Sequence, residues 1–383
     1  MRLPRLLPLL ACTFIASAPA ATTDDAQIRD RVDKTVRPLM QRLHIPGMAV
    51  ALSVGGRRHF FNYGVASRET GQPVTSATLF EIGSVTKTFT ATLAAYARQQ
   101  GRLSLSDSPA AHLPALRGSP LAKATLLDLA THTAGGLPLQ FPDTVDDRAA
   151  LPGYYASWKP AYPPATYRTY SNPGIGLLGM IAADAMQLPF EAAIESSVLA
   201  PLGMQNTFFH VPGSRMADYA QGHTAQDAQI RLRPGVLASE AYGIRSSPAD
   251  MLRFIEANLA AGAGKGMLAQ AMAETHVGYF RVGEMVQTLI WERYPLPLSL
   301  EKLLAGNSPA MAYQPHPVEK LDPPLPARPD IVVNKTGSTN GFGAYVAFVP
   351  AWNAGIVILA NKNYPVEDRV RAAHAILSAL RSQ

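Results

Sequence analysis

The sequence predicts an α/β fold: one antiparallel sheet flanked by the two terminal helices, with a mainly helical lobe inserted between them. Three observations predict it. Strand-like segments gather at both ends of the 383 residues, and neither set is enough for a sheet alone. Amphipathic helical patterns stand outside each set. The middle of the chain is dominated by helix-period segments separated by Pro-rich loops.

The elements follow in order. Residues 1–20 read as a secretory signal: Arg2 and Arg5 form a charged start, Leu6 to Ile15 an apolar stretch interrupted by Pro8. Small residues then offer cleavage at Ala16-Ser17-Ala18 or Ala18-Pro19-Ala20. A lipoprotein box at Leu9-Leu10-Ala11-Cys12 is disfavoured by the short apolar run before Cys12. Over residues 25–43, Ile28, Val32, Val36, Leu39 and Leu43 recur at spacings of three and four, an amphipathic helix closed by Pro46-Gly47. Gly47 to Val54 and Arg57 to Val65 read as two strands around the turn Gly55-Gly56. Helical patterns follow at Thr88–Gln99, Gly174–Met186 and Pro248–Ala260. Seven prolines in the 21 positions 309–329 predict an irregular surface segment. Strands are predicted at Ile331 to Lys335, Gly343 to Val349 and Gly355 to Ala360, and a helix at about Val366 to Leu380. After the signal, residues 21–383 read as one catalytic domain. Its α/β lobe takes about 21–83, 331–383 and part of 225–330, and its helical lobe about 84–224.

Composition narrows the function. Without Arg2 and Arg5 the 34 basic residues fall to 32 against 28 acidic ones, and no dense Lys/Arg run with interleaved aromatics occurs, which argues against nucleic acid as a partner. Cys12 is the sole cysteine, so the mature chain relies on its core rather than on disulfides. No later stretch is apolar for 18 residues, as a membrane span requires. The nine histidines are scattered without metal-ligand spacing, which disfavours a metal-dependent hydrolase; nothing in the chain calls for a cofactor.

Chemistry concentrates in three triplets. Ser84-Val85-Thr86-Lys87 opens a helix whose buried face is Val85, Phe89, Leu93 and Tyr96. Ser84 and Lys87, three apart in its first turn, project from one face, where the free N–H groups and the helix dipole favour developing negative charge. Lys87 supplies either a base for the hydroxyl proton or a cation for the alkoxide. Tyr170-Ser171-Asn172 lies between a Pro-rich loop and a helix. Between Lys87 and Lys335, the Tyr170 phenolate would be favoured and would act as general base, while Asn172 donates its amide to a substrate carbonyl. Lys335-Thr336-Gly337-Ser338 ends a strand: Lys335 and Thr336 suit a carboxylate, Gly337 allows a substrate close against the strand edge, and the N–H groups of Ser84 and Ser338 form an oxyanion hole. Each triplet alone is weak. Ser299-Leu300-Glu301-Lys302 repeats the first pattern and reads as a capping serine with a solvated lysine. His132-Thr133-Ala134 satisfies a loose form of the third. Gly306-Asn307-Ser308-Pro309-Ala310 ends in alanine within a Pro-rich stretch, which excludes a nucleophile elbow. Order and spacing give the three triplets their weight together.

These triplets, with Thr78-Leu79-Phe80-Glu81-Ile82-Gly83, Gly135-Gly136-Leu137-Pro138-Leu139-Gln140-Phe141-Pro142-Asp143, Gly341-Phe342-Gly343-Ala344-Tyr345-Val346-Ala347-Phe348 and Leu359-Ala360-Asn361-Lys362-Asn363-Tyr364-Pro365, resemble a class C (AmpC-type) serine β-lactamase over nearly the whole mature chain. The resemblance implies the fold shared by serine β-lactamases and penicillin-binding proteins. It implies a periplasmic monomer that opens β-lactam rings, cephalosporins foremost, through a Ser84 acyl-enzyme. It places Gln140 and Asn172 at the acylamide side chain, Tyr242 along its pocket, and Asn363 and Arg369 at the substrate carboxylate. Class A is disfavoured because no Glu-x-x-Leu-Asn occurs; Tyr170 and Lys87 must position the hydrolytic water.

Departures from the family pattern bear on substrate range. His132 replaces the tyrosine usual before Thr-Ala-Gly-Gly, read as a swap at the surface or behind the site. Thr288 and Ile290 replace two glycines before Trp291 and are expected to crowd a strand near the pocket. Val366 stands where many members carry asparagine, removing one carboxylate-side hydrogen bond. The alternatives are a low-molecular-weight penicillin-binding DD-peptidase, a related serine esterase, and a non-catalytic sensor of β-lactams or peptidoglycan fragments. Retention of Ser84, Lys87, Tyr170 and Lys335 together argues against the last.

Overall fold

The computed structural model describes residues 23–381. The signal segment, Cys12 and the cleavage sites lie outside the described residues. In chain order the main elements are α1 (Thr23–Leu43), β1 (Gly47–Val54), β2 (Arg57–Gly64), α2 (Thr86–Gln99), α3 (Asn172–Ala185), α4 (Pro248–Ala260), β3 (Gly278–Val282), β4 (Met285–Gln287), β5 (Glu292–Pro295), β6 (Glu319–Leu325), β7 (Ile331–Ser338), β8 (Gly343–Val349), β9 (Ala354–Ala360) and α5 (Val366–Arg381).

One sheet unites the two ends of the chain, in the order β6-β3-β4-β5-β7-β8-β9-β1-β2. Its pairings are antiparallel, and β9 sits between β8 and β1 with Ile358 opposite both Tyr345 and Val50. The expected antiparallel sheet flanked by terminal helices is therefore what forms. β1 shows why the order is stable. Ala49 and Ala51 face one apolar cluster shared with α2 and α4, while Met48, Val50 and Leu52 face a second cluster shared with α1 and α5. A strand covered by a layer on each face can be apolar nearly throughout, as β1 is between β9 and β2. Gly55 and Gly56, at φ of 57° and 81°, make the β1–β2 turn that L-residues disfavour.

Two expectations need correction. The sheet has nine strands rather than the five foreseen, because β3, β4 and β5 are too short to display a period. The Pro-rich stretch is also not irregular throughout: a short helix at Pro309–Tyr313 and edge strand β6 lie within it. β6 pairs with β3 on one side only, and its register shifts between Lys320 and Leu325, where Pro323 and Pro324 fall. An edge strand with a shifted register tolerates proline because some of its N–H groups bond nothing in the ladder. Among the described residues no single helix is long and apolar enough to cross a membrane.

Candidate active site

A cleft of ≈ 570 Å³ opens where β7, the start of α2 and the loop before α3 converge. Its lining includes Ser84, Gln140, Tyr170, Asn172, Tyr242, Lys335, Thr336, Gly337 and Ser338. The three triplets, up to 251 residues apart from Ser84 to Lys335 by number, thus line one cleft.

Ser84 sits in a single tight turn, Gly83–Val85, that leads directly into α2. Lys87 is fully buried one turn on, and its Nζ donates to Ser84 Oγ at 2.9 Å and to the Ala241 carbonyl at 2.9 Å. Ala241 ends the short helix Ala238–Ala241, just before the pair of Phe80–Glu81 with Arg245–Ser246. Lys335 Nζ lies 3.7 Å from Glu292 Oε1. Tyr170 stands between the two ammoniums, with its ring centroid 5.1 Å from Lys87 Nζ and 5.2 Å from Lys335 Nζ. The Arg168 guanidinium is 5.4 Å from the same ring and reaches Glu292 at 3.4 Å. Three cations against one carboxylate leave this buried corner positive around a single phenol.

That imbalance sets the titration. Burial alone would raise the Tyr170 phenol, but Lys335 and Lys87, with the nearby Ser84 hydroxyl, outweigh it and bring the group down to about 8. Burial lowers Lys87 to about 8 as well; Tyr170 opposes that shift and Lys335 adds to it. The two groups titrate as a coupled pair. The Tyr170 oxygen is buried without a completed hydrogen bond, so its lone pairs remain available for a proton.

β7 carries the other wall. β5 accompanies it only as far as Asn334, opposite Glu292, so Lys335 to Ser338 continue beside β8 alone and leave one side open toward Ser84. Gly337 is needed here for a reason the sequence did not reveal. A Cβ would overlap the Ile82 carbonyl oxygen and approach Val85 N to 3.0 Å, so the strand end packs against the turn bearing Ser84. Gly83, at φ 52°, answers from the other side: a Cβ there would lie 2.5 Å from Ser338 N. Two glycines let the main chains of Ser84 and Ser338 run together.

Asn363 and Arg369 do not line the cleft. Arg369 is fully buried, and its Nη1 donates to the Gly337 carbonyl at 2.6 Å and Ser338 Oγ at 2.8 Å, while Nη2 donates to Asn363 Oδ1 at 3.2 Å. The guanidinium braces β7 from behind. Thr339, Asn340 and Val366 complete that end of the lining.

The departures also take definite places. His132 is not at the surface: it is buried and packs on Tyr170, ring centroids 4.4 Å apart. Thr288 and Ile290 are buried and do not line the cleft. Ile290 keeps a φ of 68°, a glycine-like conformation, and its N–H donates to the Ala130 carbonyl at 2.9 Å. The backbone cost, about 1–2 kcal/mol, is offset by about 1.5–3 kcal/mol from burying the isoleucine side chain. Ser299 caps the helix Leu300–Gly306 while Lys302 pairs with Glu284 at 2.9 Å, as expected of a capping serine and solvated lysine.

Sequence reasoning missed Arg168, Glu292 and Glu81. Glu81 Oε1 accepts the Leu232 N–H at 2.7 Å and the Tyr219 hydroxyl, and Oε2 accepts the Thr339 hydroxyl. One buried carboxylate thus ties the strand leading to Ser84 to two other walls of the cleft. Its only sequence signal was an acid inside an apolar stretch, Leu79-Phe80-Glu81-Ile82, where an unpaired charge is costly.

A serine nucleophile, a lysine, a tyrosine and a second lysine in this arrangement define an active-site-serine acyl-transfer enzyme. The β-lactamase family model matches residues 32–381, and the chain belongs to the β-lactamase family, class C. A β-lactamase of Pseudomonas fluorescens is 52% identical over 92% of this chain and 99% of its own length. The structure of a β-lactamase/D-alanine carboxypeptidase from Pseudomonas syringae superimposes with a TM-score of 0.90 at 48% identity, covering 92% of this chain and 99% of that one. A class C β-lactamase in complex with cefoxitin does so with a TM-score of 0.90 at 46% identity, covering 93% and 99%.

Proposed function

We propose that the protein hydrolyses the β-lactam ring of antibiotics, cephalosporins foremost, through an ester to Ser84, and thereby confers resistance. The observation that carries the reading is the 2.9 Å contact of Lys87 Nζ with Ser84 Oγ, beside a phenol brought down to about 8. Ser84 Oγ attacks the lactam carbonyl carbon, and its proton passes to the Tyr170–Lys87 pair. The Ser84 and Ser338 N–H groups hold the oxyanion. The C–N bond breaks as that proton moves to the ring nitrogen, leaving the acyl-enzyme. Water then attacks the ester, gives its proton to the same pair, and the Ser84 oxygen leaves and is reprotonated. Gln140, Asn172 and Tyr242 receive the acylamide side chain. Lys335, Thr336 and Ser338 receive the carboxylate, and Asn363 and Arg369 act through β7 rather than by contact. Residues 1–20 serve as the export signal of a periplasmic monomer, whose residues 21–383 form one catalytic domain with its helical lobe over about 84–224.

The test is a time course of cephalosporin ring opening by absorbance, with substrate in large excess. Sustained turnover supports the reading. A burst of one product per Ser84 followed by arrest contradicts it and favours a DD-peptidase, a second reading motivated by the carboxypeptidase activity named for the Pseudomonas syringae structure.

The coupled pair makes the rate depend on pH. Below about 8 both groups hold their protons and no acceptor for the Ser84 proton exists. kcat/KM is expected to rise between pH 6 and 8, approaching tenfold per unit at the acid end. A profile flat from pH 5 to 10 would contradict the assignment. Gly337→Ala is expected to lower kcat/KM by about 10²-fold, because its Cβ meets the Ile82 carbonyl and pushes β7 away from Ser84. Steady-state kinetics with a parallel melting curve check this; wild-type kinetics would show that the strand end yields without cost.

A further inference from the structure

His132 is buried beside the chemistry, and its contacts bracket Tyr170 on three sides. Its carbonyl accepts the Thr169 N–H at 2.8 Å, its Nδ1 accepts the Ser171 N–H at 3.2 Å, and its ring lies against the phenol between them at a tilt of 40°. The residue holds a φ of 62°, unusual for a non-glycine, so the backbone bends to deliver this ring. Because Nδ1 accepts, the neutral imidazole carries its proton on Nε2, which is buried with no partner among the described residues. A donor left unmatched in the interior is unfavourable, and a ring that merely filled space would not need one.

We propose that His132 is a positioning residue for Tyr170, its neutral imidazole locking the Tyr-Ser-Asn loop so that the phenol stays between Lys87 and Lys335. The inference rests on Tyr170 sharing the proton-accepting role proposed above. The charged groups facing the imidazole are Lys87 on α2, Arg168 beside the loop and Lys335 on β7, with Glu292 on β5 as the carboxylate among them. A protonated His132 would lose its acceptor for Ser171 and add a fourth cation to this corner. Burial, with Arg168, Lys87 and Lys335, holds the ring well below the usual imidazole range, consistent with a group kept neutral.

The test compares His132→Phe, which keeps a ring without the acceptor, with His132→Asn, which keeps an acceptor and tolerates positive φ but removes the ring. Phenolate formation is followed by ultraviolet difference absorbance, each variant read against the same variant carrying Tyr170→Phe. The subtraction isolates one tyrosine of 14. His132→Phe is expected to lower kcat about tenfold with KM within about twofold, and to move the Tyr170 titration up by about one pH unit as the phenol drifts from its cations. His132→Asn is expected to retain more of kcat and to show a smaller upward shift. If His132→Phe does not fold, His132→Asn carries the test alone, and a titration superimposed on wild type overturns the proposal. An unchanged titration and kcat in a folded His132→Phe, with Tyr170→Phe strongly impaired, overturns the positioning role only. Unimpaired turnover by Tyr170→Phe itself overturns the proton-acceptor reading and this inference with it.

Discussion

Ser84→Ala is expected to reduce turnover by on the order of 10⁴-fold or more while the protein folds and melts as the wild type does. The nucleophilic oxygen is the one atom with no substitute in the cleft. Removing it costs the fold little, because Ser84 is only partly buried and Lys87 Nζ keeps its bond to the Ala241 carbonyl. The N–H groups proposed for the oxyanion belong to the main chain and survive the change, so substrate is still expected to bind. Steady-state hydrolysis, with mass spectrometry for a covalent adduct, checks both halves. Undiminished hydrolysis, or an adduct on the variant, would remove Ser84 from the mechanism.

Lys87→Ala ranks second, with an expected loss of about 10³-fold in the rate of acylation. Three effects combine. The Ser84 hydroxyl loses its 2.9 Å partner, the buried Ala241 carbonyl loses its donor, and one of the cations lowering Tyr170 disappears. With Lys335 and Arg168 still near the ring, the phenol remains partly favoured, so the residual rate should rise with pH along a limb displaced to higher pH than in the wild type. Lys87→Arg is not expected to restore the rate, because a guanidinium cannot give up its proton and does not fit a fully enclosed ammonium site. Rapid-mixing measurement of acylation across pH is the check. A Lys87→Ala rate within tenfold of wild type would leave Tyr170 as sole acceptor.

Much of this molecule was legible in its sequence because the relevant signals are local. Spacings of three and four predicted α1, and the Gly55-Gly56 turn predicted the hairpin that follows. The boundaries of α4 fell where Ser247 and Pro248 place them, a side-chain cap followed by a proline suited to the first helical turn. The triplets announced a nucleophile and its partners because acyl transfer without histidine needs that small set of groups. None of these inferences required knowing what lay across space.

The remaining features depend on contacts between distant segments. Edge strand β6 was hidden by its prolines, which read as breakers until the missing partner on one side explains them. Gly337 looked like room for a substrate; the tertiary structure shows it as room for the Ile82 carbonyl. Arg369 read as a substrate contact and proves to be a buried brace behind β7. His132 read as a swap at the surface or behind the site, and the tertiary structure places it behind the site, against the phenol. By itself the sequence determined the helices, the central strands and the inventory of reactive groups, since periodicity and side-chain chemistry are properties of neighbours along the chain. Only the tertiary structure decided which groups share a dielectric, which carbonyl meets which glycine, and how three cations surround one phenol. Burial and Coulomb interactions act through space, and the sheet joining both ends of the chain determines those distances.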